Sequence, residues 1–283
     1  MVGGQSSKPR IGAVIQARMK SERLPGKILM PLPFSSGKPL LGWTVECIKK
    51  SKLIDKIIIA SSTDKTNDPL EAFCEGNAIE LFRGSEDDVL SRFIEVTKQN
   101  GFDVVVRLTG DNPIVDAELL DFTIQHHLSN HNEYTRTKGL PLGMNFEIVS
   151  AKAFDRIENT KLKPEDREHV TTYIRNHADF KKEEFHFFKE EELDNIRLTV
   201  DYPSDFAAIS LLLSLLKSGE LPGLDSVREA KQNFSWILKV NEMNWQKRQF
   251  SNLTEELEAA VLLLQEKDLS NAAHLLMRHN SNK

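Results

Sequence analysis

Four short apolar runs mark the first half of the chain: I-G-A-V-I from Ile11, K-I-I-I-A from Lys56, A-I-E-L-F from Ala78 and D-V-V-V-R-L from Asp103. Between them lie stretches of helical period, L-L-G-W-T-V-E-C-I-K-K from Leu40, D-P-L-E-A-F-C-E from Asp68 and E-D-D-V-L-S-R-F-I-E-V-T-K from Glu86. A continuous apolar run has no wet face, so it predicts a strand buried on both sides, and a helix between two such strands is a crossover. The pattern therefore predicts an α/β fold with a mainly parallel sheet flanked by helices. Asp68 followed by Pro69, and Asp116 before A-E-L-L, are expected helix starts, because each offers an acceptor to orphan backbone N–H groups and Pro69 suits a first helical position.

Past residue 130 the alternation loosens. N-F-E-I-V from Asn145, F-H-F-F from Phe185 and I-R-L-T-V from Ile196 are further strand candidates, and from Pro203 the chain reads as mostly helical. L-T-E-E-L-E-A-A-V-L-L-L-Q-E-K followed by L-S-N-A-A-H-L-L-M-R-H predicts a helical hairpin near the C-terminus. The expected division is a flexible tail over residues 1–10, an α/β domain over 11–220 and a helical extension over 221–283.

A 283-residue chain with 40% hydrophobic residues can bury a large core, and a net charge of −5 argues against a grip on a nucleic-acid backbone. The longest apolar stretch, I-S-L-L-L-S-L-L from Ile209, is too short to cross a bilayer, so no membrane insertion is expected. The polar opening residues and two cysteines without C-x-x-C spacing, Cys47 and Cys74, fit a cytoplasmic protein with free thiols. Trp236 and Trp245 are read as core or interface residues, and His126, His127, His131 and His177 as surface or helix residues without metal-ligand spacing.

Against this ordinary background, I-Q-A-R-M-K-S-E-R-L-P-G-K over residues 15–27 places four cations directly after the first strand. Ligands of open parallel sheets bind beyond the carboxyl ends of the strands, so the loop reads either as a solvated basic turn or as an anion pocket. In the second reading Pro25 and Gly26 turn the chain back, so that Lys27 meets the same phosphates as Arg18. The loop matches neither G-x-G-x-x-G nor G-x-x-x-x-G-K-[ST], which excludes the usual dinucleotide and P-loop ATPase fingerprints. Two aspartates follow strand candidates: Asp111 in V-V-V-R-L-T-G-D-N-P and Asp201 in I-R-L-T-V-D-Y-P-S-D-F, with Asp205 one turn further on. Each alone suits a cap or turn. Together at one sheet edge they would hold a hard divalent cation against phosphate.

I-Q-A-R-M-K-S-E-R-L-P-G-K-I-L, G-D-N-P and V-D-Y-P-S-D resemble the signatures of the cytidylyltransferases that activate acidic sugars, closest to the spore-coat-polysaccharide branch and to 3-deoxy-manno-octulosonate cytidylyltransferase. The resemblance extends through L-F-R-G-S-E-D-D-V-L-S-R-F, L-P-L-G-M-N-F-E-I-V and D-R-E-H-V-T-T-Y-I. It implies a Rossmann-like nucleotide-diphospho-sugar transferase fold and transfer of CMP from CTP to a 3-deoxy-ulosonic or nonulosonic acid, for surface polysaccharide or glycan synthesis. Implied partners are CTP and the acidic sugar, the implied cofactor is Mg2+, and a homodimer is expected. Carried over residue by residue, the resemblance makes Arg18, Lys27 and Asp111 catalytic and Asp111 with Asp201 metal ligands. Gln16, Ala17, Arg18, Arg23, Lys27, Arg83, Gly84, Ser85 and Gly110 become nucleotide contacts, and Glu147, Glu168 and His169 acceptor contacts. T-G-D-N-P departs from the Q-G-D-E-P of the octulosonate enzymes and R-x-G-S-K is absent, so neither acceptor follows. The rival readings are a glycosyltransferase, for which a D-x-D motif is missing, and a degenerate nucleotide-binding protein, against which the retained charged set argues.

Overall fold

The computed structural model describes residues 8–34, 36–188, 191–244 and 252–280. Trp245 and most of the expected N-terminal tail lie outside them. Seven strands form one mixed sheet: β1 (Ile11–Gln16), β2 (Lys56–Ser62), β3 (Glu80–Gly84), β4 (Val104–Thr109), β5 (Tyr134–Lys138), β6 (Glu147–Ser150) and β7 (Lys182–His186). Their order is β3-β2-β1-β4-β6-β5-β7, and only β6 runs against the rest.

Twelve helices accompany the described strands: α1 (Leu40–Ile48), α2 (Pro69–Asn77), α3 (Val89–Asn100), α4 (Ala117–Ser129), α5 (Ala151–Glu158), α6 (Pro164–Glu168), α7 (Thr172–Asn176), α8 (Pro203–Leu213), α9 (Leu224–Asn233), α10 (Ser235–Lys239), α11 (Leu253–Glu266) and α12 (Ser270–Asn280). Alternate strand residues feed two cores. Ala13, Ile15, Ile59, Val104 and Val106 pack with α1, α2, α4, α8 and α9, whereas Val14, Ile58, Ala60 and Val105 pack with α3, α5 and α7. This sandwiching explains the apolar runs Ile11–Ile15, Ile57–Ala60 and Val104–Val106 within β1, β2 and β4. The expected cap forms at α4, where Asp116 accepts from Glu118 and Leu119; Pro69 opens α2, but the Asp68 side chain caps no backbone N–H there and pairs with Arg83 instead.

I-R-L-T-V over 196–200 is no strand of the sheet; it lies extended across the loop before β6 and shares one isolated bridge with it, Leu142 to Arg197. The strand that does fill the sheet there is β5, Y-T-R-T-K, whose polar alternation hid it. Trp236 is 57% exposed, so of its two readings the core one fails and the interface one stands open. Compact packing divides the chain into residues 1–244 and 245–283. The first unit reaches that far because Leu224, Val227, Ala230 and Ile237 join its core. In the second unit α11 and α12 pack against each other as a hairpin.

Register levels the carboxyl ends of the central strands, with Gln16 opposite both Ala60 and Thr109. The chain winds from β1 toward β2 and β3 on one side and takes up β4 on the other. The loops after β1 and β4 therefore leave the sheet side by side, at the switch point where such sheets hold ligands.

Candidate active site

Residues 17–27 leave β1 beside the β4 loop. Their contact requires Gly110: a Cβ there would stand 3.1 Å from Ala17 Cβ and 3.3 Å from the Gln16 carbonyl oxygen. Gly110 N–H donates to that carbonyl at 2.8 Å. Gly26 takes a left-handed φ of 72°, which a residue with a Cβ adopts only at a cost, and its N–H donates to the Met19 carbonyl at 3.0 Å. The reversal drives Lys27 inward. Only 7% of Lys27 is exposed.

There the Lys27 Nζ donates to Asp111 Oδ2 at 2.9 Å, Asp201 Oδ1 at 3.0 Å and the Val200 carbonyl at 2.6 Å. One ammonium thus joins two carboxylates ninety positions apart in sequence. Thr109 Oγ1 fixes the far oxygen of Asp111 at 2.7 Å, and Val200 N–H donates to the Asp111 carbonyl at 2.9 Å. The extended segment 196–200 is therefore what carries Asp201 across to β4.

Arg23 joins from the same loop, 3.1 Å from Asp201 Oδ1, and its guanidinium lies over the Tyr202 ring at 4.4 Å. Behind Asp201 stands Arg197, bonded to Asp201 Oδ2 at 2.9 Å and to both oxygens of Asp205 at 2.8 and 3.0 Å. Asp205 is fully buried. It also accepts from the backbone N–H groups of Asp201 and Tyr202 at the start of α8, and from Asn241 and Asn244 at 2.9 and 2.7 Å. Burial raises the pKa of Asp201, but Lys27, Arg23 and Arg197 outweigh it and hold the carboxyl below its usual range. Asp205 is held low in the same way, against its burial, chiefly by Arg197. Three cations, Arg23, Lys27 and Arg197, face three anions, Asp111, Asp201 and Asp205, so the cluster is electrically balanced.

The other residues singled out by sequence fall around this centre or away from it. Gln16 ends β1, and its buried Oε1 has no hydrogen-bond partner among the described residues. Arg18 is exposed. Arg83 is occupied elsewhere: it donates to the Ser62 and Asp64 carbonyls at 3.2 and 2.9 Å and pairs with Asp68 and Glu71, tying β3 to the start of α2. Ser85 Oγ accepts from Asp88 N–H at 3.2 Å, and Gly84 closes β3. Glu147 lies between β4 and β5, ion-paired with Arg107 and accepting from Tyr134 Oη at 2.5 Å and Thr171 Oγ1 at 2.9 Å. Burial works against its charge, yet Arg107 and these donors keep it ionised below the usual carboxylate range. Glu168 and His169 are exposed at the end of α6. Arg197, Asn241 and Asn244 were not singled out by sequence. The four-residue steps Arg197–Asp201–Asp205 are a usable signal in hindsight, while the two asparagines left none.

Among the described residues no group of three His, Cys, Asp or Glu side chains is placed to hold a metal. Two carboxylates that converge on one ammonium nevertheless present oxygen donors to one point, which suits a hard divalent cation completing its shell with water and phosphate.

Residues 13–244 match the sequence profile described as cytidylyltransferase. The chain is 40% identical over 219 residues to the spore coat polysaccharide biosynthesis protein SpsF of Bacillus subtilis, covering 75% of this chain and 89% of that protein. It is 32% identical over 145 residues to a 3-deoxy-manno-octulosonate cytidylyltransferase of Acaryochloris marina, covering 50% of this chain and 56% of that one. Among solved structures, a cytidylyltransferase from Leptospira borgpetersenii superposes with a TM-score of 0.75 at 29% identity, over 85% of this chain and 100% of that one.

Proposed function

The chain belongs to the cytidylyltransferase family, and from that premise we propose that it transfers CMP from CTP to a hydroxyl of a 3-deoxy-ulosonic or nonulosonic acid, releasing pyrophosphate. One observation supports the reading above the others: the Lys27 ammonium stands between Asp111 and Asp201 at 2.9 and 3.0 Å, joining the basic loop to both acidic stations.

Asp111 and Asp201 would hold the divalent cation, Mg2+. Bound there, such an ion neutralises developing charge on the transferred phosphoryl group and lowers the pKa of the attacking hydroxyl. Lys27 has two tasks. Without nucleotide its ammonium keeps two neighbouring carboxylates from repelling each other; with CTP in place it turns to the polyphosphate and releases them. Nucleotide and metal would therefore bind cooperatively. Arg23 and Arg18 flank the departing pyrophosphate, Arg23 oriented by its stacking on Tyr202. Arg197 and Asp205 keep Asp201 fixed while Lys27 moves.

An acidic acceptor suits the strands beyond β4. Arg107 and Arg136 stand on either side of Glu147 in one cross-strand row, and the Arg136 guanidinium makes no hydrogen bond or ion pair among the described residues. Glu147 orients Arg107, and Arg136 faces the acceptor carboxylate; Glu168 and His169 line the outer rim. The two buried free cysteines suit the reducing cytoplasm, where CTP is available.

The test is pyrophosphate release from CTP with magnesium and a panel of 3-deoxy-ulosonic and nonulosonic acids. Release with one acid is expected, and Lys27→Ala or Asp111→Asn should lower turnover by about two to three orders of magnitude, the usual loss for one preorganised electrostatic contact. Wild-type turnover in either variant would remove this site assignment.

A further inference from the structure

Arg92 lies in the first turn of α3, and only 4% of it is exposed. A guanidinium so buried is almost always paired, because an uncompensated charge out of water costs several kcal/mol. The Arg92 guanidinium makes no hydrogen bond or ion pair among the described residues, and its buried Nε is without an acceptor. Its pKa is lowered by burial and lowered again by a neighbouring cation, Arg18. Two guanidinium groups, one from the β1 loop and one from α3, thus stand close enough to repel.

The nearest acids offset this charge only from a distance, and both are committed elsewhere. Asp88 caps Ser91 N–H at 2.9 Å with one oxygen and pairs with Arg167 at 2.5 Å through the other. Glu86 reaches toward Lys20 at 3.5 Å. The arrangement is built rather than accidental, since the Arg92 stem passes where Gly84 has no side chain: a Cβ at Gly84 would stand 2.8 Å from Arg92 Cγ. G-S-E-D-D-V-L-S-R therefore brings a cation to the nucleotide edge of the sheet and leaves it an anion short.

We propose that Arg92 is a further phosphate-binding guanidinium, which joins Arg18 and Arg23 on the β- and γ-phosphates that leave as pyrophosphate. This rests on the CTP-dependent reading above and assigns Arg92 a place within it. Arg23 and Lys27 are already ion-paired with Asp111 and Asp201 and must exchange those partners to reach a polyphosphate, whereas Arg18 and Arg92 offer two positive charges with no partner to give up. Donor-only groups in a forked geometry match phosphate oxygens better than any neutral part of a nucleotide. On this account Gly84 serves the site by making room for Arg92.

The experiment is calorimetric titration of the full chain, in magnesium, with inorganic pyrophosphate, CTP and CMP in turn, for the wild type and for Arg92→Met and Arg92→Lys. A hydrogen-bonded charge is worth enough that Arg92→Met should weaken pyrophosphate about ten- to a hundredfold. Arg92→Lys should recover part of that loss, CTP should follow pyrophosphate, and CMP should change less than about twofold. Equal pyrophosphate affinity in wild type and both variants overturns the proposal while leaving CTP binding, and so the functional reading, intact. Equal weakening of CMP and pyrophosphate overturns it too, by placing Arg92 on the nucleoside. Failure of the wild type to bind CTP at all instead removes the functional reading on which the proposal stands.

Discussion

Arg197 and Arg92 are nearly equally buried, at 7% and 4% exposed, but keep opposite company. Arg197 donates to Asp201 and to both oxygens of Asp205; the Arg92 guanidinium donates to none of the described residues. The consequence appears in their protonation. Burial disfavours the charge of both, but Asp205 and Asp201 reverse the effect at Arg197 and raise its pKa, whereas at Arg92 burial and Arg18 lower it together. A buried cation whose counter-charges are built into the chain is framework. One whose counter-charge is missing marks where an anionic ligand belongs.

The sharpest way to break this comparison is to remove the framework partner. Arg197→Met would leave Asp205 buried with only neutral donors, and Asp201 with one fewer cation. Taking one member from a buried, hydrogen-bonded pair costs about 3–5 kcal/mol, so urea unfolding at neutral pH should show a loss of that size. A loss below about 1 kcal/mol would make Arg197 no more structural than Arg92 and dissolve the contrast.

His127 on α4 is a buried group of intermediate kind, bonded on one side and bare on the other. Its Nδ1 meets Thr135 Oγ1 at 2.9 Å, while its Nε2 has no partner among the described residues. Burial pulls its pKa from 6.5 down to about 4. The folded state thus holds the neutral ring, and its contribution is complete above the unfolded pKa and declines as pH falls from 6.5 toward 4. Between pH 7 and pH 5 the linkage amounts to about 2 kcal/mol. Unfolding free energies at those two pH values should differ by about that much more in the wild type than in His127→Gln. Identical pH slopes would show that the ring already titrates freely.

The same contrast explains what the sequence made legible. Strands buried on both faces, such as Ile11–Gln16, carry a continuous apolar run and announced themselves; β5 has Arg136 on one face and reads Y-T-R-T-K, which no apolar run betrays. I-R-L-T-V imitated a strand because its alternation comes from packing beneath the 140–144 loop rather than from a ladder; Leu198, for example, donates to the Leu142 carbonyl at 2.8 Å. At the candidate site, Lys27, Asp111 and Asp201 were visible because loop chemistry is local: a glycine turn, a strand end, a proline-led helix start. Arg197, Asn241 and Asn244 were not, since their meaning lies in a carboxylate up to 39 positions away. Arg92 was hidden for a different reason. Within an amphipathic helical pattern, S-R-F reads as an outward cation, and only the fold turns it inward against Gly84.

The smallest expected effect is also the most diagnostic. Arg92→Met keeps the apolar stem that passes Gly84 but deletes an unpaired buried charge and its repulsion by Arg18. Replacing such a charge with a side chain of similar shape is often neutral or stabilising, so without ligand the variant should match the wild type or exceed it by up to about 1 kcal/mol. Adding pyrophosphate should invert the ranking. At a concentration one hundred times the wild-type Kd, the wild type gains about 2.7 kcal/mol by mass action, whereas a variant with tenfold weaker affinity gains only about 1.4 kcal/mol. Urea unfolding of both proteins with and without pyrophosphate reads the crossing directly. Parallel gains in the two proteins would mean that Arg92 makes no use of the anion, and that its charge is tolerated in the interior without one.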